Sequence, residues 1–271
     1  MTPTLCGVLG HPVGHSRSPA IQNAAFEAAG LDWRYVKLPV PPERFEETVR
    51  ALPASGYRGA NVTIPHKLAA LRLAGEASPA ARAIGAANTL TFADGGAVAA
   101  DNTDAGGILD ALARPVAGLR ALVLGAGGAG RAAVYALREA GAAEVMLWNR
   151  TADRAVAVAH ELGAAAVRSP GPADVLVHAT SVGLDPATPD AGALAALGLD
   201  GAEPYPVVVD LVYRESGPTP VEAWARATGS TVVDGIEVLV RQGARSFESW
   251  TGRPAPLEAM RAAARKTSPE T

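Results

Sequence analysis

Two hydrophobic patterns alternate along this chain. Runs of about four to eight mainly apolar residues are typical of buried β-strands, whereas segments in which apolar residues return every three or four positions are typical of amphipathic helices. Strands are predicted at 5–9, 33–40, 58–64, 88–92, 97–100, 121–124, 144–148, 173–178, 206–210 and 231–233. Helices are predicted at 19–29, 42–52, from about 65, from 103 or 104 to 112, from the loop after 124 to about 140, and at 152–162, 238–250 and 257–265.

The order of these segments predicts the fold class. From about residue 118 onward, strands and helices alternate as in successive βαβ units, which predicts a parallel sheet with helices on both faces. The earlier part alternates too, but it includes a hairpin in which the turn 93–96 joins two strands. We therefore predict an α/β protein of two domains, the first formed by residues 1–102 and 241–271 and the second by residues 103–240.

Composition narrows the possible functions. The 271 residues are 48% hydrophobic and 19% charged, which suits a large buried core. A net charge of −3 provides no basic surface for nucleic acid, and no run of about 18 apolar residues is present to cross a membrane. Cys6 is the only cysteine, so an intramolecular disulfide is impossible and a cytoplasmic location is expected. Monomer and homodimer both remain open.

A metal site is not predicted. Three of the five histidines lie in the first hundred residues, at His11, His15 and His66. They lack the helical i, i+4 spacing of a histidine pair that binds zinc, and no cluster of cysteines or carboxylates accompanies them.

A glycine-rich loop follows the apolar strand at 121–124. Residues 125–130 read Gly-Ala-Gly-Gly-Ala-Gly and open an amphipathic helix, the context in which this spacing binds a dinucleotide pyrophosphate. Gly125 would make a tight turn, Gly127 would let the pyrophosphate approach, and Gly130 would let helix and strand pack closely. The alternative is an ordinary glycine-rich turn. We predict a Rossmann-type domain whose loop contacts the cofactor through Gly125, Ala126, Gly127, Gly128, Ala129 and Gly130.

The next strand end indicates which dinucleotide is bound. NAD-specific domains usually carry Asp or Glu about 20 residues after the glycine loop, to bind the ribose 2′-hydroxyl. Here the strand ends in Asn149-Arg150-Thr151, and Arg154 follows one helical turn later. Guanidinium groups bind phosphate bidentately, so NADP is favoured over NAD. Arg150 is the stronger candidate, because Arg154 also fits a solvated residue on the helix surface.

Small polar residues recur near strand ends in the first hundred or so residues. They are Ser16, Ser18, Asn61, Thr63, Asn88 and Asp104. Because open α/β sheets bind ligands beyond the carboxyl ends of their strands, these residues suit a small molecule that carries hydroxyl groups and a carboxylate. Each also has a plain structural explanation. Ser18 and Asp104 can cap helices, and Asn88 can form hydrogen bonds with the backbone of a turn.

Lys67 is the candidate proton-transfer group. The chain has only three lysines, at 37, 67 and 266, and otherwise uses arginine for positive charge. A guanidinium does not release a proton near neutral pH, whereas an ammonium can be tuned to do so. The alternative is a surface lysine without a catalytic role.

A series of motifs resembles the shikimate dehydrogenase family, in the family's order and over nearly the whole chain. They lie at residues 10–19, 61–67, 85–89, 101–107, 125–131, 149–151, 179–183, 210–213 and 234–242. The motif at 10–19 resembles the family's substrate loop, 61–67 its catalytic lysine motif, and 101–107 its catalytic aspartate motif. In one departure, the loop after Tyr213 is one residue longer than the family's pattern.

The resemblance implies specific roles. Lys67 and Asp104 would be the catalytic pair in reversible hydride transfer between NADPH and C3 of 3-dehydroshikimate, which gives shikimate. The substrate would lie in a cleft between the two domains, against Ser16, Ser18, Asn61, Thr63, Asn88, Tyr213 and Gln242. Besides the glycine loop, NADP would contact Asn149, Arg150, Thr151, Arg154, Thr180, Ser181, Leu211 and Gly235.

Three alternatives to a strict shikimate dehydrogenase remain at this stage. The first is a quinate/shikimate dehydrogenase with broader substrate or NAD use, against which Arg150 argues. The second is a ligand sensor without catalysis, which would typically have lost Lys67 or Asp104. The third is a related two-domain NADP enzyme that acts on another small acid.

Overall fold

The computed structural model describes residues 2–93, 95–184 and 190–266. The chain divides into two compact units, the first taking in residues up to Gly107 together with those from Leu239 onward, the second Ile108–Val238. Each unit is built on a sheet flanked by helices, so the α/β class predicted from the alternating pattern is confirmed. Within the described residues, none of the helices combines the length and the apolar character needed to cross a membrane.

The first unit contains a mainly parallel sheet. Its strands are β1 (Thr4–Gly10), β2 (Trp33–Pro39), β3 (Tyr57–Val62), β4 (Glu76–Ala77), β5 (Thr89–Phe92) and β6 (Val98–Asp101). They lie in the order β2-β1-β3-β5-β6-β4, and β5 alone among these six runs against its neighbours. The predicted hairpin is therefore β5–β6; Asp94 of its predicted turn lies outside the described residues.

Five helices accompany this sheet along the chain. They are α1 (Ser18–Ala28), α2 (Phe45–Ala51), α3 (Lys67–Leu73), α4 (Pro79–Ile84) and α5 (Thr103–Leu112), with short 3₁₀ turns at Pro42–Arg44 and Pro53–Ser55. The predicted cap Ser18 is wrong by one position, because Ser18 is already the first helical residue and its N–H donates to Ser16 Oγ. The sequence missed α4, whose six residues are too few to show a helical period.

The second unit contains a fully parallel sheet, as predicted. Its strands are β7 (Arg120–Leu124), β8 (Glu144–Trp148), β9 (Ala165–Ala166), β10 (Val175–His178), β11 (Val207–Asp210) and β12 (Thr231–Val233), in the order β12-β11-β10-β7-β8-β9. Its helices are α6 (Gly128–Glu139), α7 (Ala152–Leu162), α8 (Ala193–Ala196) and α9 (Pro220–Ala227). The pattern did not predict β9, α8 or α9.

The apolar strands of the second unit are explained by burial on both faces. Along β7, Ala121 and Val123 belong to one hydrophobic cluster, which includes Leu137 of α6. The alternate residues Leu122 and Leu124 belong to another cluster, which includes residues of α9. Since neither face meets water, the strand shows no alternation of polar and apolar positions.

Two closing helices complete the fold, α10 (Gly235–Thr251) and α11 (Leu257–Arg265). The chain passes between the units twice, once inside α5 and once inside α10. In the first unit, the indole of Trp250 in α10 is buried and donates its Nε1–H to the carbonyl oxygen of Leu90, 3.0 Å away. α11 packs against α1, and Arg17 donates to the carbonyl oxygen of Ala264 at 2.7 Å. These contacts place α10 firmly on the sheet that carries the candidate site.

Gly59 of β3 allows this close packing. A Cβ atom at Gly59 would lie 2.2 Å from Nε1 of Trp250. Gly59→Ala must therefore displace the indole and its hydrogen bond, and we expect the free energy of unfolding to fall by about 1–3 kcal/mol in chemical denaturation. Gly171→Ala is the matched control, because the space around that glycine is open. Equal losses in the two variants would contradict this account.

Candidate active site

Lys67 lies at the first position of α3, just beyond the carboxyl end of β3. The preceding residue, His66, is buried; its ring stacks on Phe45 at a centroid distance of 4.3 Å, and its Nε2 lies 2.7 Å from the carbonyl oxygen of Val40. Burial is the main cause that lowers the pKa of His66 below its usual value, so the neutral ring donates its Nε2–H to Val40. These contacts anchor the backbone from which Lys67 projects.

Lys67 and Asp104 form an ion pair. The distance between Lys67 Nζ and Asp104 Oδ2 is 2.5 Å, and the two side chains are only 13% and 15% exposed. The other carboxylate oxygen, Oδ1, accepts a hydrogen bond from Asn88 Nδ2 at 2.7 Å. Asp104 lies inside the first turn of α5 and does not cap it, so the capping explanation of this residue is wrong. The structure thus brings three predicted site residues together.

Asn88 connects this pair to the start of α5. Its Oδ1 accepts the backbone N–H of Thr103 at 2.7 Å, while its Nδ2 lies 3.0 Å from Thr103 Oγ1. Gln242 of α10 brings its Oε1 to 3.3 Å from the same Nδ2. Gln242 therefore joins the cluster, although it lies more than 130 residues from Asp104 in sequence.

Asn61 lies in a buried polar network that adjoins Asn88, to whose carbonyl oxygen its Nδ2 donates at 3.2 Å. Its Oδ1 accepts the hydroxyl hydrogen of Tyr35 at 2.7 Å, and its Nδ2 donates to Ser246 Oγ at 2.8 Å and to Thr89 Oγ1 at 3.1 Å. Thr89 and Ser246 are in turn 3.0 Å apart. Because protein groups already engage both ends of the Asn61 amide, it is less suited to direct ligand contact than the sequence indicated.

The remaining substrate candidates of the first unit lie on neighbouring loops. Ser16 and Ser18 are two residues apart, and the backbone nitrogen of Ser18 lies 3.3 Å from Ser16 Oγ. Thr63 follows β3, and its backbone N–H donates to the carbonyl oxygen of Leu9 in β1 at 2.8 Å. A Cβ at Gly10 would meet the Thr63 methyl group at 2.4 Å, so these loops lie in direct contact. They form the ends of two adjacent parallel strands, where ligands of open sheets bind.

In the second unit, the glycine loop has the geometry that its sequence predicts. Gly125 has a φ of +110°, which disfavours residues with a side chain. A Cβ at Gly130 would lie 1.7 Å from the carbonyl oxygen of Gly125, so the helix can pack only with glycine there. Around Gly127 the space is open, and no side chain caps α6 at this point. The helix N-terminus can therefore receive the pyrophosphate of a dinucleotide.

Two side chains beyond β8 shape this loop. The backbone N–H of Ala126 donates to Asn149 Oδ1 at 3.1 Å, and Arg154 Nε donates to the carbonyl oxygen of Ala126 at 3.2 Å. Arg154 is therefore a loop contact, which neither sequence interpretation had anticipated. Arg150 is exposed and has no ion-pair partner among residues 2–93, 95–184 and 190–266, so its guanidinium is available to an anion. Thr151 precedes α7 as its N-terminal cap residue.

The other cofactor candidates lie beyond β10 and β11. Thr180 and Ser181 follow β10, and the backbone N–H of Leu211 donates to the carbonyl oxygen of His178 at 2.9 Å. Gly235 opens α10 so close to this loop that a Cβ would lie 2.4 Å from the carbonyl oxygen of Val212. These residues share one edge of the second sheet.

The lengthened loop after Tyr213 is held by an arginine. Arg214 donates to the carbonyl oxygen of Gly183 at 2.7 Å and pairs with Asp190 at 2.6 Å. This hydrogen-bonded pairing is the main cause that lowers the pKa of the exposed Asp190 carboxyl. Tyr213 itself is half-buried in the second unit.

Sequence reasoning missed the residues that support the site. They are Tyr35, Thr89, Thr103, Ser246, His178 and Asp210, all fully or nearly buried. The available signal was a polar residue in an apolar setting: His178 ends the run Val-Leu-Val and Asp210 ends Val-Val-Val. In the described part of the chain, no group of three or more His, Cys, Asp or Glu residues is placed to hold a metal ion.

Three family models match separate parts of the chain. Residues 8–90 match the shikimate dehydrogenase substrate binding domain, and residues 110–180 match shikimate / quinate 5-dehydrogenase. Residues 235–265 match the shikimate 5′-dehydrogenase C-terminal domain. The first match contains Lys67 and the second contains the glycine loop.

Similar proteins cover nearly the whole length. A shikimate dehydrogenase (NADP(+)) from Methanothermobacter thermautotrophicus is 42% identical over 272 residues, which cover 94% of this chain and 93% of that protein. Shikimate dehydrogenase from Aquifex aeolicus is 35% identical with a TM-score of 0.87, covering 97% of this chain and 98% of that one. Shikimate 5-dehydrogenase from Thermus thermophilus, solved in complex with NADP(H) and shikimate, is 40% identical with a TM-score of 0.83. This match covers 98% of this chain and 100% of that one.

Gly127 and Gly130 are expected to respond differently to the same substitution. Gly127→Ala adds a methyl group to open space, so stability should be unchanged while affinity for the expected cofactor NADP+ falls about tenfold or more. Gly130→Ala forces helix and strand apart and should lower the melting temperature. Calorimetric titration and thermal denaturation measure the two effects. A Gly127→Ala variant with unchanged affinity would show that the pyrophosphate lies elsewhere.

Proposed function

The chain belongs to the shikimate dehydrogenase family, and on that premise we propose that it catalyses the reversible reduction of 3-dehydroshikimate to shikimate with NADPH. It is then an oxidoreductase acting on a CH–OH group in the shikimate pathway, which supplies aromatic amino acid biosynthesis. The observation that carries the proposal is the ion pair of Lys67 and Asp104 at 2.5 Å, with Asn88 as third member. A sensor that binds its ligand without catalysis would not require a proton-transfer pair, so the ion pair argues against that alternative.

The proton chemistry belongs to Lys67. A bound NADPH would supply the hydride for C3 of the substrate, and the carbonyl electron pair would then move onto oxygen. Lys67 donates a proton from its ammonium group to that oxygen, which completes the hydroxyl group, and takes it back in the reverse direction. Asp104 holds the ammonium in place and accepts from a substrate hydroxyl. Asn88 fixes the carboxylate by occupying Oδ1.

The substrate contacts are proposed from the same cluster. Ser16, just before α1, and Ser18, at its first position, carry hydroxyl groups that suit the carboxylate of shikimate. Thr63, Asn88 and Gln242 suit the ring hydroxyls, with Tyr213 as a further candidate. Asn61 contributes mainly by fixing Ser246 and Thr89 behind them.

The cofactor contacts are proposed from the second unit. The loop 125–130 receives the pyrophosphate at the N-terminus of α6, since Gly127 leaves that approach open. Arg150, exposed and available, binds the 2′-phosphate together with Thr151, whereas Asn149 and Arg154 hold the loop in shape. The nicotinamide half of the cofactor contacts Thr180, Ser181, Leu211 and Gly235.

Lys67 should be required for turnover more than for binding. Lys67→Ala should lower kcat about 10²–10⁴-fold in an NADP-linked absorbance assay, because the proton donor is lost, and shikimate affinity should change far less. Lys67→Arg should also fail, since the charge is kept but the proton is not released. Lys266→Ala, which alters an exposed lysine, is the control. Near-normal turnover of Lys67→Ala would refute the assignment.

Substrate and cofactor preference can be tested in one panel. We expect oxidation of shikimate with NADP+ to exceed oxidation with NAD+, and Arg150→Ala to weaken use of NADP+ by about 10- to 100-fold without weakening use of NAD+. Arg168→Ala, another exposed arginine of the second unit, is the control. Quinate is included because the family model for residues 110–180 names it. If quinate were turned over as fast as shikimate or faster, shikimate would not be the preferred substrate and the proposal would be wrong.

A further inference from the structure

A chain of hydrogen bonds joins the ends of β10 and β11, and its two buried members, His178 and Asp210, have no role in the proposed mechanism. His178 and Asp210 are fully buried, with 2.8 Å between His178 Nδ1 and Asp210 Oδ1. His178 Nε2 lies 2.7 Å from Thr180 Oγ1. Buried polar groups are costly unless every one is paired, so this chain holds its members in one arrangement.

The hydrogen positions follow from the partners of Asp210. Its Oδ1 accepts the backbone N–H of Val212 at 2.9 Å, and its Oδ2 accepts the hydroxyl hydrogen of Thr219. A carboxylate only accepts, so His178 Nδ1 carries the hydrogen that points to it. In the neutral ring Nε2 is then an acceptor, and the Thr180 hydroxyl donates to it.

This arrangement determines what Thr180 can offer to a ligand. Thr180 Oγ1 commits its hydrogen to His178 and accepts the backbone N–H of Val182 at 3.1 Å. A hydroxyl oxygen has two lone pairs, so one remains. Thr180 is half-buried, and the remaining lone pair suits a donor group of a bound molecule.

Strand order indicates which part of the cofactor lies there. β7 carries the glycine loop, β8 lies on one side of it with Arg150 at its end, and β10 and β11 lie on the other side. A dinucleotide with its pyrophosphate on the glycine loop and its 2′-phosphate at Arg150 therefore extends its nicotinamide half toward β10 and β11. The loops touch directly, since a Cβ at Gly125 would lie 2.7 Å from the carbonyl oxygen of Ala179.

We propose that His178, held by Asp210, is a positioning residue that presents Thr180 Oγ1 as a hydrogen-bond acceptor to the nicotinamide riboside half of the cofactor. This proposal rests on the proposed use of NADP. The relevant donors of that half are its ribose hydroxyls and its carboxamide NH₂ group. His178 touches neither substrate nor cofactor and acts through Thr180.

Binding measurements with two ligands test the proposal. NADP+ contains both halves of the cofactor, whereas 2′,5′-ADP contains only the adenosine half with its 2′-phosphate. We expect His178→Leu and Thr180→Val each to weaken NADP+ binding about tenfold in calorimetric titration, the cost of about one hydrogen bond. Binding of 2′,5′-ADP should stay within about twofold, because one hydrogen bond to the missing half is all that changes. A purely structural role would weaken both ligands or neither.

Two further variants complete the test. His178→Gln can place its Oε1 near the position of Nε2, so it should recover most of the lost NADP+ affinity. In the double variant, His178→Leu should add no loss to Thr180→Val. Equal weakening of both ligands, unchanged NADP+ binding, or additive losses would each overturn the proposal, and Thr180→Val decides alone if His178→Leu does not fold. Since no shikimate turnover is measured, failure of the proposed activity would appear separately, in the absorbance assay.

Discussion

The ion pair between Lys67 and Asp104 is the interaction on which the arrangement of the first unit depends. With both side chains almost enclosed, each charge needs a fixed partner, since an unpaired charge there would be strongly destabilising. Lys67 is fixed by the anchored residue His66, and Asp104 by the start of α5 and by Asn88. The loop after β3 and the start of α5 are thus held at one place, and the pair is ready for proton transfer without rearrangement of its backbone supports.

Both units place hydrogen-bonded polar networks near the carboxyl ends of their strands. In the first unit, Asn61 is joined to Ser246 of α10; in the second, His178 is joined to Asp210 of the neighbouring strand. Such networks contribute to a unique arrangement only when all members are paired, because a single unsatisfied group costs about 1–3 kcal/mol. Asn88 and Thr180, which are candidate ligand contacts, are hydrogen-bonded to members of these networks. This explains why the strand ends are so polar in a chain with such apolar strands.

Much of the fold could be predicted because long periodic segments carry their own signal. β8, α7 and α11 have the predicted bounds, since strict apolar patterns and flanking turn residues mark both ends. Short elements such as α8 have too few residues to show a period. The candidate site could also be predicted in part. Lys67 is noticeable because lysine is rare in this chain, but the residues that support it carry no such signal. The bond from Asn61 to Ser246 spans 185 residues, and no local pattern announces a contact that only tertiary packing creates.

The two arginines beyond β8 show how one motif can contain two physical roles. Both were candidates for a phosphate, since a guanidinium suits that group. Arg154 also donates its Nε–H to the carbonyl oxygen of Ala126, while Asn149 accepts the N–H of the same residue. The peptide units on both sides of Ala126 are therefore each held by one side chain, and a loop fixed before binding loses less entropy when its ligand binds. Arg150 has no such hydrogen bond within the described residues, so its proposed role at a 2′-phosphate can be tested separately from the shape of the loop.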